Sequence, residues 1–448
     1  MTENNILPDN VINYLKKFAY TNWNLEKESD KLYDNIVVVP SLAEFERIYN
    51  CINSLERNNE KILKRTLVII VINNSDKSET EIVDNNRKTF QLLSNYSGKL
   101  DINFIDAFSE GNALKKKLAG VGFARKIGLD LALTKFDYSS SEKKILFWLD
   151  ADCEVEQNYL EVVTDTFKHR NLNSSVIEYE HKINDQDAEA RAMVCYETFL
   201  RYFKLGLVYA KSHYDYHAIG STIVCDVDSY IKAGGMNTKQ AGEDFYFLEK
   251  LAKQNKVETI KETIVYPSSR KSWRVPFGTG QRITRYLKNI QDEYLVYNPM
   301  SFELLKNWLE FFSSDSTIDS DKIIVEAKKI NVHLYNFLVE QKFEKSWNKI
   351  LNNSESIDEI RKQKIFWFDA FRTLKLIHFL RQKLYNDINV YEALKFFSTK
   401  IDLNFDLNIE KAKKDYQLQK QILISLRNYF RKKYDNKSQS RRNSELLE

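Results

Sequence analysis

The sequence predicts an α/β domain, a sheet with helices on both faces, followed by an all-α region. Three observations predict it. Short aliphatic runs alternate with helical patterns over roughly the first 290 residues, the layout of strands buried between helix layers. All twelve glycines lie between Gly98 and Gly280, and neither glycine nor proline follows Pro299. Beyond that point apolar and aromatic residues recur at helical spacing.

In order along the chain, Asn35–Val39, Leu67–Ile72, Ile102–Ile105 and Ile145–Leu149 read as buried strands, with helices such as Glu44–Asn58 and Ala124–Leu133 between them. Phe302–Phe312, Ile324–Lys342, Lys362–Leu384 and Ile409–Lys433 read as helices of a bundle. At 448 residues the chain exceeds a usual single domain, so one catalytic domain with an added module is expected.

Composition narrows the function classes. With 67 Lys+Arg against 63 Asp+Glu the net charge is only +4, too even to suggest a nucleic-acid binder. The N-terminus lacks the basic-then-apolar order of a signal peptide, and the longest aliphatic run, Leu67–Ile72, is far too short to span a bilayer. Cys51, Cys153, Cys195 and Cys225 show no metal-finger spacing and read as free thiols of a reducing compartment, so a cytoplasmic protein is expected.

The chemistry is carried first by Ile145-Leu146-Phe147-Trp148-Leu149-Asp150-Ala151-Asp152, a bulky apolar strand that ends in two carboxylates. Ligands of open α/β sheets sit at the carboxyl ends of strands. There Asp150 and Asp152 can hold a hard divalent cation, Mn²⁺ or Mg²⁺, that bridges to a diphosphate and stabilises its departure. Standing alone, an Asp-x-Asp is more often a pair of solvated acids in a turn. The second feature is Gly242-Glu243-Asp244 ahead of an apolar helical run. An inverting sugar transfer needs a carboxylate to take the acceptor hydroxyl proton, and Asp244, with Glu243 beside it, is the candidate base. The same acids could simply cap the helix and complement its dipole.

Four blocks occur together: Val37-Val38-Val39-Pro40-Ser41-Leu42-Ala43-Glu44, Ala124-Arg125-Lys126-Ile127-Gly128-Leu129-Asp130, Trp148–Asp152, and Gly234-Gly235-Met236-Asn237 leading to Gly242-Glu243-Asp244. Over about residues 34–290 the chain resembles the family-2 glycosyltransferases of the GT-A fold. The resemblance implies a Rossmann-like mixed sheet flanked by helices. With the boundary that the glycine and proline distribution sets, the chain divides into an N-terminal helical segment (1–33), a catalytic domain (34–295), a helical C-terminal domain (296–435) and, by composition, a disordered basic tail (436–448). The resemblance also implies that Pro40 and Glu44 help hold the nucleoside, that Asp150 and Asp152 serve ribose and metal, that Arg125 lies near the diphosphate, and that Asp244 is the base. After the second strand the family's usual acid is replaced by Asn73-Asn74, amides that pair with a base edge through different donors. Family habit makes the donor a uridine-diphosphate sugar.

A block containing Arg270, Lys271 and Arg274 ahead of Gly278 and Gly280 reads either as a lid whose cations close over the diphosphate or as a basic surface loop. Gln281-Arg282-Ile283-Thr284-Arg285-Tyr286 only approximates the Gln-x-x-Arg-Trp motif of processive synthases, which argues for single additions. His213 and His217 are more simply core histidines than ligands. In the last helix Ile422, Leu426, Tyr429 and Phe430 share one face while Arg427, Arg431 and Lys432 crowd its end. That is a bundle helix, or else a basic amphipathic helix lying on the inner face of a membrane.

The expected function is therefore an inverting, metal-dependent transfer from a nucleoside-diphosphate sugar to a glycan, lipid-linked or protein acceptor, in surface glycan or glycolipid synthesis. Two alternatives stand beside it: a sugar nucleotidyltransferase, for which the phosphate-binding glycine loop after the first strand is missing, and a non-catalytic scaffold of the same fold.

Overall fold

The computed structural model describes residues 7–183, 187–239, 242–270, 278–315, 318–401, 403 and 408–433. Arg274 and the tail 436–448 lie outside the described residues. The chain forms two compact units. The first comprises 1–182 and 218–268 with 274–276, and the second 183–217, 269–273 and 277–448.

The first unit is built on an eight-stranded mixed sheet, β1 (Asn35–Ser41), β2 (Thr66–Asn73), β3 (Asp101–Ala107), β4 (Ile145–Trp148), β5 (Glu154–Val155), β6 (Ser174–Tyr179), β7 (Ile223–Asp226) and β8 (Glu258–Tyr266), in the order β3-β2-β1-β4-β7-β6-β8-β5. It is the mixed, helix-flanked sheet expected from the sequence. Strands β1 and β2 are buried at every position, as continuous aliphatic runs must be when helices cover both faces. The pairs β1–β2, β2–β3 and β1–β4 are parallel, with Val38 opposite both Ile69 and Trp148. The chain therefore leaves β1, β2, β3 and β4 at one edge of the sheet, and the expected site residues follow those exits.

Helix Val121–Ala132 lies on this sheet through Gly128, where an added Cβ would stand 2.5 Å from Val38 Cγ1 and 2.7 Å from Val71 Cγ2. Two other residues of its block are structural. Lys126 Nζ (2.8 Å), Tyr14 Oη (2.8 Å) and Tyr230 Oη (2.7 Å) all donate to the buried Asp130 carboxylate, fastening the N-terminal helix Asp9–Phe18 to the core. Gly235, in the left-handed region at φ 70°, takes the space beside Tyr14 Oη that a side chain would fill.

The second unit is helical, and its boundary differs from the expected division at residue 295. Helix Ala188–Tyr209 packs in one apolar cluster with helices after Pro299. Tyr202 meets Phe302 edge-on at 5.8 Å, and Gly206 lets the Phe302 ring lie within 2.5 Å of where a Cβ would stand. Apolar periodicity shows that a helix has a buried face but not which partner covers it.

Three expected long helices are each two. Asn331 separates Ser320–Ile330 from Val332–Glu340, accepting from His333 N at 2.8 Å; Asp369 separates Ile357–Trp367 from Ala370–Lys383, accepting from Arg372 N at 2.9 Å. Asp415 accepts from Gln417 N (2.9 Å) and Leu418 N ahead of Tyr416–Lys433. Short Asx side chains compete for backbone donors and restart a helix without any glycine or proline.

Of the two readings of that last helix, the bundle helix is observed. Ile422, Leu426 and Phe430 are buried within the unit's core, so this face is not available to a lipid surface. Arg427 is not a solvated end charge: Nε and Nη2 reach the buried Glu197 at 2.8 and 2.6 Å. Among the described residues no helix is long and apolar enough to cross a membrane.

Candidate active site

Arg125 stands at the centre of the acid residues. It projects from the first turns of helix Val121–Ala132 and is only 2% exposed. Its Nη2 donates to Asp150 Oδ1 at 2.5 Å and its Nη1 to Glu243 Oε1 at 2.6 Å. The guanidinium lies against the backbone of Gly220, where a Cβ would come within 2.5 Å of both Nη atoms. A buried cation is tolerable only when paired, and these two carboxylates come from elements far apart in the chain.

Asp150 follows β4 directly, and its side chain keeps 35% of its surface exposed beside the buried guanidinium. Asp152, two residues on, is partly exposed while Ala151 and Cys153 between and after the acids are buried. Glu243 opens helix Glu243–Gln254, whose N-cap is Gly242 at φ 72°, a left-handed position that glycine adopts without strain. Asn237 Nδ2 steadies this start by donating to the Glu243 carbonyl at 2.9 Å. Gly122 leaves room for the Glu243 side chain, whose Cβ and Cγ would lie 2.9 Å from an added methyl.

Asp244 is therefore not the N-cap. It sits in the first turn, partly exposed, and its side chain accepts from Phe245 N at 2.7 Å. Burial pushes both carboxyls up against the opposing pull of Arg125, Glu243 to about 7, and each is raised further by neighbouring acids, Asp244 and Asp150 for Glu243 and Asp150 for Asp244. Several acids thus share one buried cation at the exit of β4. An added divalent cation would relieve that imbalance, and the hard oxygens of Asp150 and Asp152 suit one that also takes diphosphate oxygens. Among the described residues no cluster of three or more His, Cys, Asp or Glu is arranged to hold a metal ion.

The residues expected to hold the nucleoside lie at the exits of β1 and β2. Pro40 is the penultimate residue of β1, opposite Val71, and Glu44, 3% exposed, follows Ala43, which is left-handed at φ 50°. Asn73 ends β2 and is 4% exposed; its Oδ1, like Ser41 Oγ beside it at the end of β1, is a buried polar atom without a partner among the described residues. Asn74 is otherwise committed: its Nδ2 donates to Ser75 O and Phe108 O and its Oδ1 accepts from Asn86. Only Asn73 of the expected amide pair has side-chain capacity to spare.

Three residues at this edge escaped the sequence reading, namely Ser41, Asn86 and Gly220. Asn86 had a signal. It falls on the inward stripe of helix Thr80–Ser94 with Val83, Phe90 and Leu93, and a polar residue on an apolar stripe requires a buried partner.

Other expected or prominent features belong elsewhere. Arg282 and Arg285 of the Gln-x-x-Arg-like segment both bind the buried Glu293 within the helical unit. His217 is buried there with its ring 6.1 Å from that of Phe430, and burial with nearby Lys204 and Arg201 holds its imidazole well below the usual range. A cavity of about 290 Å³ lined by Lys27, Lys31 and Asp101 opens at the entry of β3, the sheet edge opposite the acids, and Lys27 Nζ already donates to Leu93 O there.

No protein-family model matches the chain, and no curated protein matches its sequence. Among solved structures it is similar to S. aureus TarS residues 1–349 in complex with UDP-GlcNAc, at 13% identity over 73% of this chain and 89% of that one, with a TM-score of 0.38. It is also similar to the mannosyltransferase PcManGT from Pyrobaculum calidifontis in complex with GDP-Man and Mn²⁺, at 10% identity over 93% of this chain and 90% of that one, with a TM-score of 0.35. Likeness at this level carries no argument about activity, which rests on the residues themselves.

Proposed function

We propose that this chain is an inverting, metal-dependent glycosyltransferase that moves a sugar from a nucleoside-diphosphate sugar, UDP-linked, to an acceptor hydroxyl in surface glycan or glycolipid synthesis. One observation carries the reading: Asp150, Glu243 and Asp244 converge on Arg125 at the carboxyl edge of parallel strands, beside buried and unpartnered polar atoms at the exits of β1 and β2.

In this reading Glu44 and Asn73 hold the nucleoside. Asp150 and Asp152 would hold Mn²⁺ or Mg²⁺, which supplies positive charge to the departing diphosphate. Arg125 keeps Asp150 and the start of helix Glu243–Gln254 in place, and being buried it acts on the diphosphate through Asp150 rather than by direct contact. Asp244 takes the acceptor hydroxyl proton as the acceptor oxygen bonds to the anomeric carbon. The bond from that carbon to the phosphate oxygen breaks, and the nucleoside diphosphate leaves with its electron pair.

Product analysis tests the reaction class. Incubation with UDP- and GDP-sugars and Mn²⁺ should release nucleoside diphosphate, whereas pyrophosphate release from a sugar phosphate and nucleoside triphosphate would mark a nucleotidyltransferase. Titration calorimetry tests the metal: Mn²⁺ should strengthen UDP binding in the wild type and not in Asp152→Asn. Equal enhancement in both proteins would overturn the metal assignment.

A further inference from the structure

Asn86 ties together the two strand exits on which the proposed nucleoside site rests. Its side chain is fully buried on helix Thr80–Ser94. Oδ1 accepts from Ala43 N at 2.9 Å, and Nδ2 donates to Asn73 O at 3.0 Å and to Asn74 Oδ1 at 2.8 Å. One amide thus bonds the turn after β1 and the end of β2. Asn74 extends the connection to β3, its backbone N–H donating to Ala107 O and its Nδ2 to Phe108 O at 3.3 Å each.

The turn it holds is strained. Ala43 sits in the left-handed region, which a residue with a Cβ occupies at a cost, and its N–H is directed to Asn86. The neighbouring Asn85 repeats the contact one step on: its Oδ1 accepts from Phe45 N at 3.0 Å while its Nδ2 reaches the Glu46 carboxylate at 3.1 Å. Glu44 lies between these two clamped positions. On the other strand, the residue whose carbonyl Asn86 binds is Asn73, with its unpartnered buried Oδ1.

We infer that Asn86 is a positioning residue for nucleoside recognition, fixing Glu44 and Asn73 relative to one another so that the base and ribose meet preformed partners. The inference rests on the proposed glycosyltransferase reading. It places the effect in the nucleoside half of the donor and leaves the diphosphate half, on Asp150 and Asp152, untouched.

The test compares two probes on the full chain with Mn²⁺: inorganic pyrophosphate, which reports the diphosphate half alone, and whichever of UDP or GDP the wild type binds more tightly. Asn86→Asp keeps the acceptor for Ala43 N but brings carboxylate oxygens against the Asn73 carbonyl and Asn74 Oδ1; Asn86→Ala removes all three bonds. Each variant that melts cooperatively should lose nucleotide affinity by about tenfold or more, as buried hydrogen bonds are lost, with pyrophosphate affinity changed by less than about twofold. Should one replacement prevent folding, the other is scored by the same ratio. Equal losses for both probes, or unchanged nucleotide affinity in a folded variant, would overturn the inference. A wild type that binds UDP and GDP no better than pyrophosphate would instead sink the nucleoside-site reading beneath it.

Discussion

Arg125 Nη1 donates to Glu243 Oε1 at 2.6 Å, and both residues are almost fully withdrawn from solvent. With Asp150 on the other Nη, this pair joins the exit of β4 to the start of helix Glu243–Gln254. Glu243 is thereby engaged in holding the arginine, while the neighbouring Asp244 accepts from Phe245 N in the same helical turn. Both acids feel the Arg125 charge, but of the two only Glu243 hydrogen-bonds the guanidinium.

Glu243 gives a pH-dependent signature. Its carboxyl is raised from the ordinary 4.5 to about 7 in the folded protein. A raised acid contributes stability that is complete below the unfolded value and is lost as pH rises through the folded one. In Glu243→Gln that component is absent. Its melting temperature should therefore rise relative to wild type as pH increases from about 4.5 to about 7. Thermal melts across this range check it, and a difference independent of pH would show that Glu243 does not titrate there.

Asp244→Asn should fold normally and bind donor normally, because Gly242 and not Asp244 is the N-cap and the amide oxygen can still accept from Phe245 N. Turnover should fall ~10²–10⁴-fold, the usual worth of a general base. Steady-state rates beside donor affinity decide the matter. Near-normal turnover would reduce Asp244 to a helix-start acid and direct attention to Glu243.

Gly220→Ala should damage the site without touching any acid. Its Cβ would stand 2.5 Å from both Arg125 Nη atoms, so the guanidinium must move away from Asp150 or Glu243. A displacement of this kind costs ~1–3 kcal/mol. Donor affinity and melting temperature are both expected to drop, and wild-type values for both would mean that the backbone at Gly220 yields easily.

Truncation at Asn298 should not give a soluble catalytic domain. Helix Ala188–Tyr209 would remain, but Phe302, Trp308, Phe397 and Leu426, which share its apolar cluster, would be gone. An exposed aromatic face of this kind favours aggregation. Size-exclusion chromatography of the truncated protein is the check, and a monodisperse folded product would show that this helix finds other cover.

Much of this was legible in the sequence because it is written locally. Continuous aliphatic runs in β1 and β2 announce strands covered on both faces, and an apolar run ending at Asp150 and Asp152 places acids at a strand exit whatever the remaining chain does. The helical character of the C-terminal part likewise follows from spacing alone. The Asx caps at Asn331, Asp369 and Asp415 were also present in the sequence, but a cap and a solvated polar residue look the same until the backbone donors that it binds are in place.

What tertiary structure decided are relations between residues distant along the chain. It paired Arg125 with Asp150 and Glu243, assigned helix Ala188–Tyr209 to the C-terminal helices, buried the apolar face around Leu426, and set Asn86 between Ala43 and Asn73. Periodicity tells which face of an element is apolar and residue type tells which atoms need partners. Neither specifies the partner, because that depends on which surfaces pack together once the desolvation of every buried charge and amide has to be met at the same time.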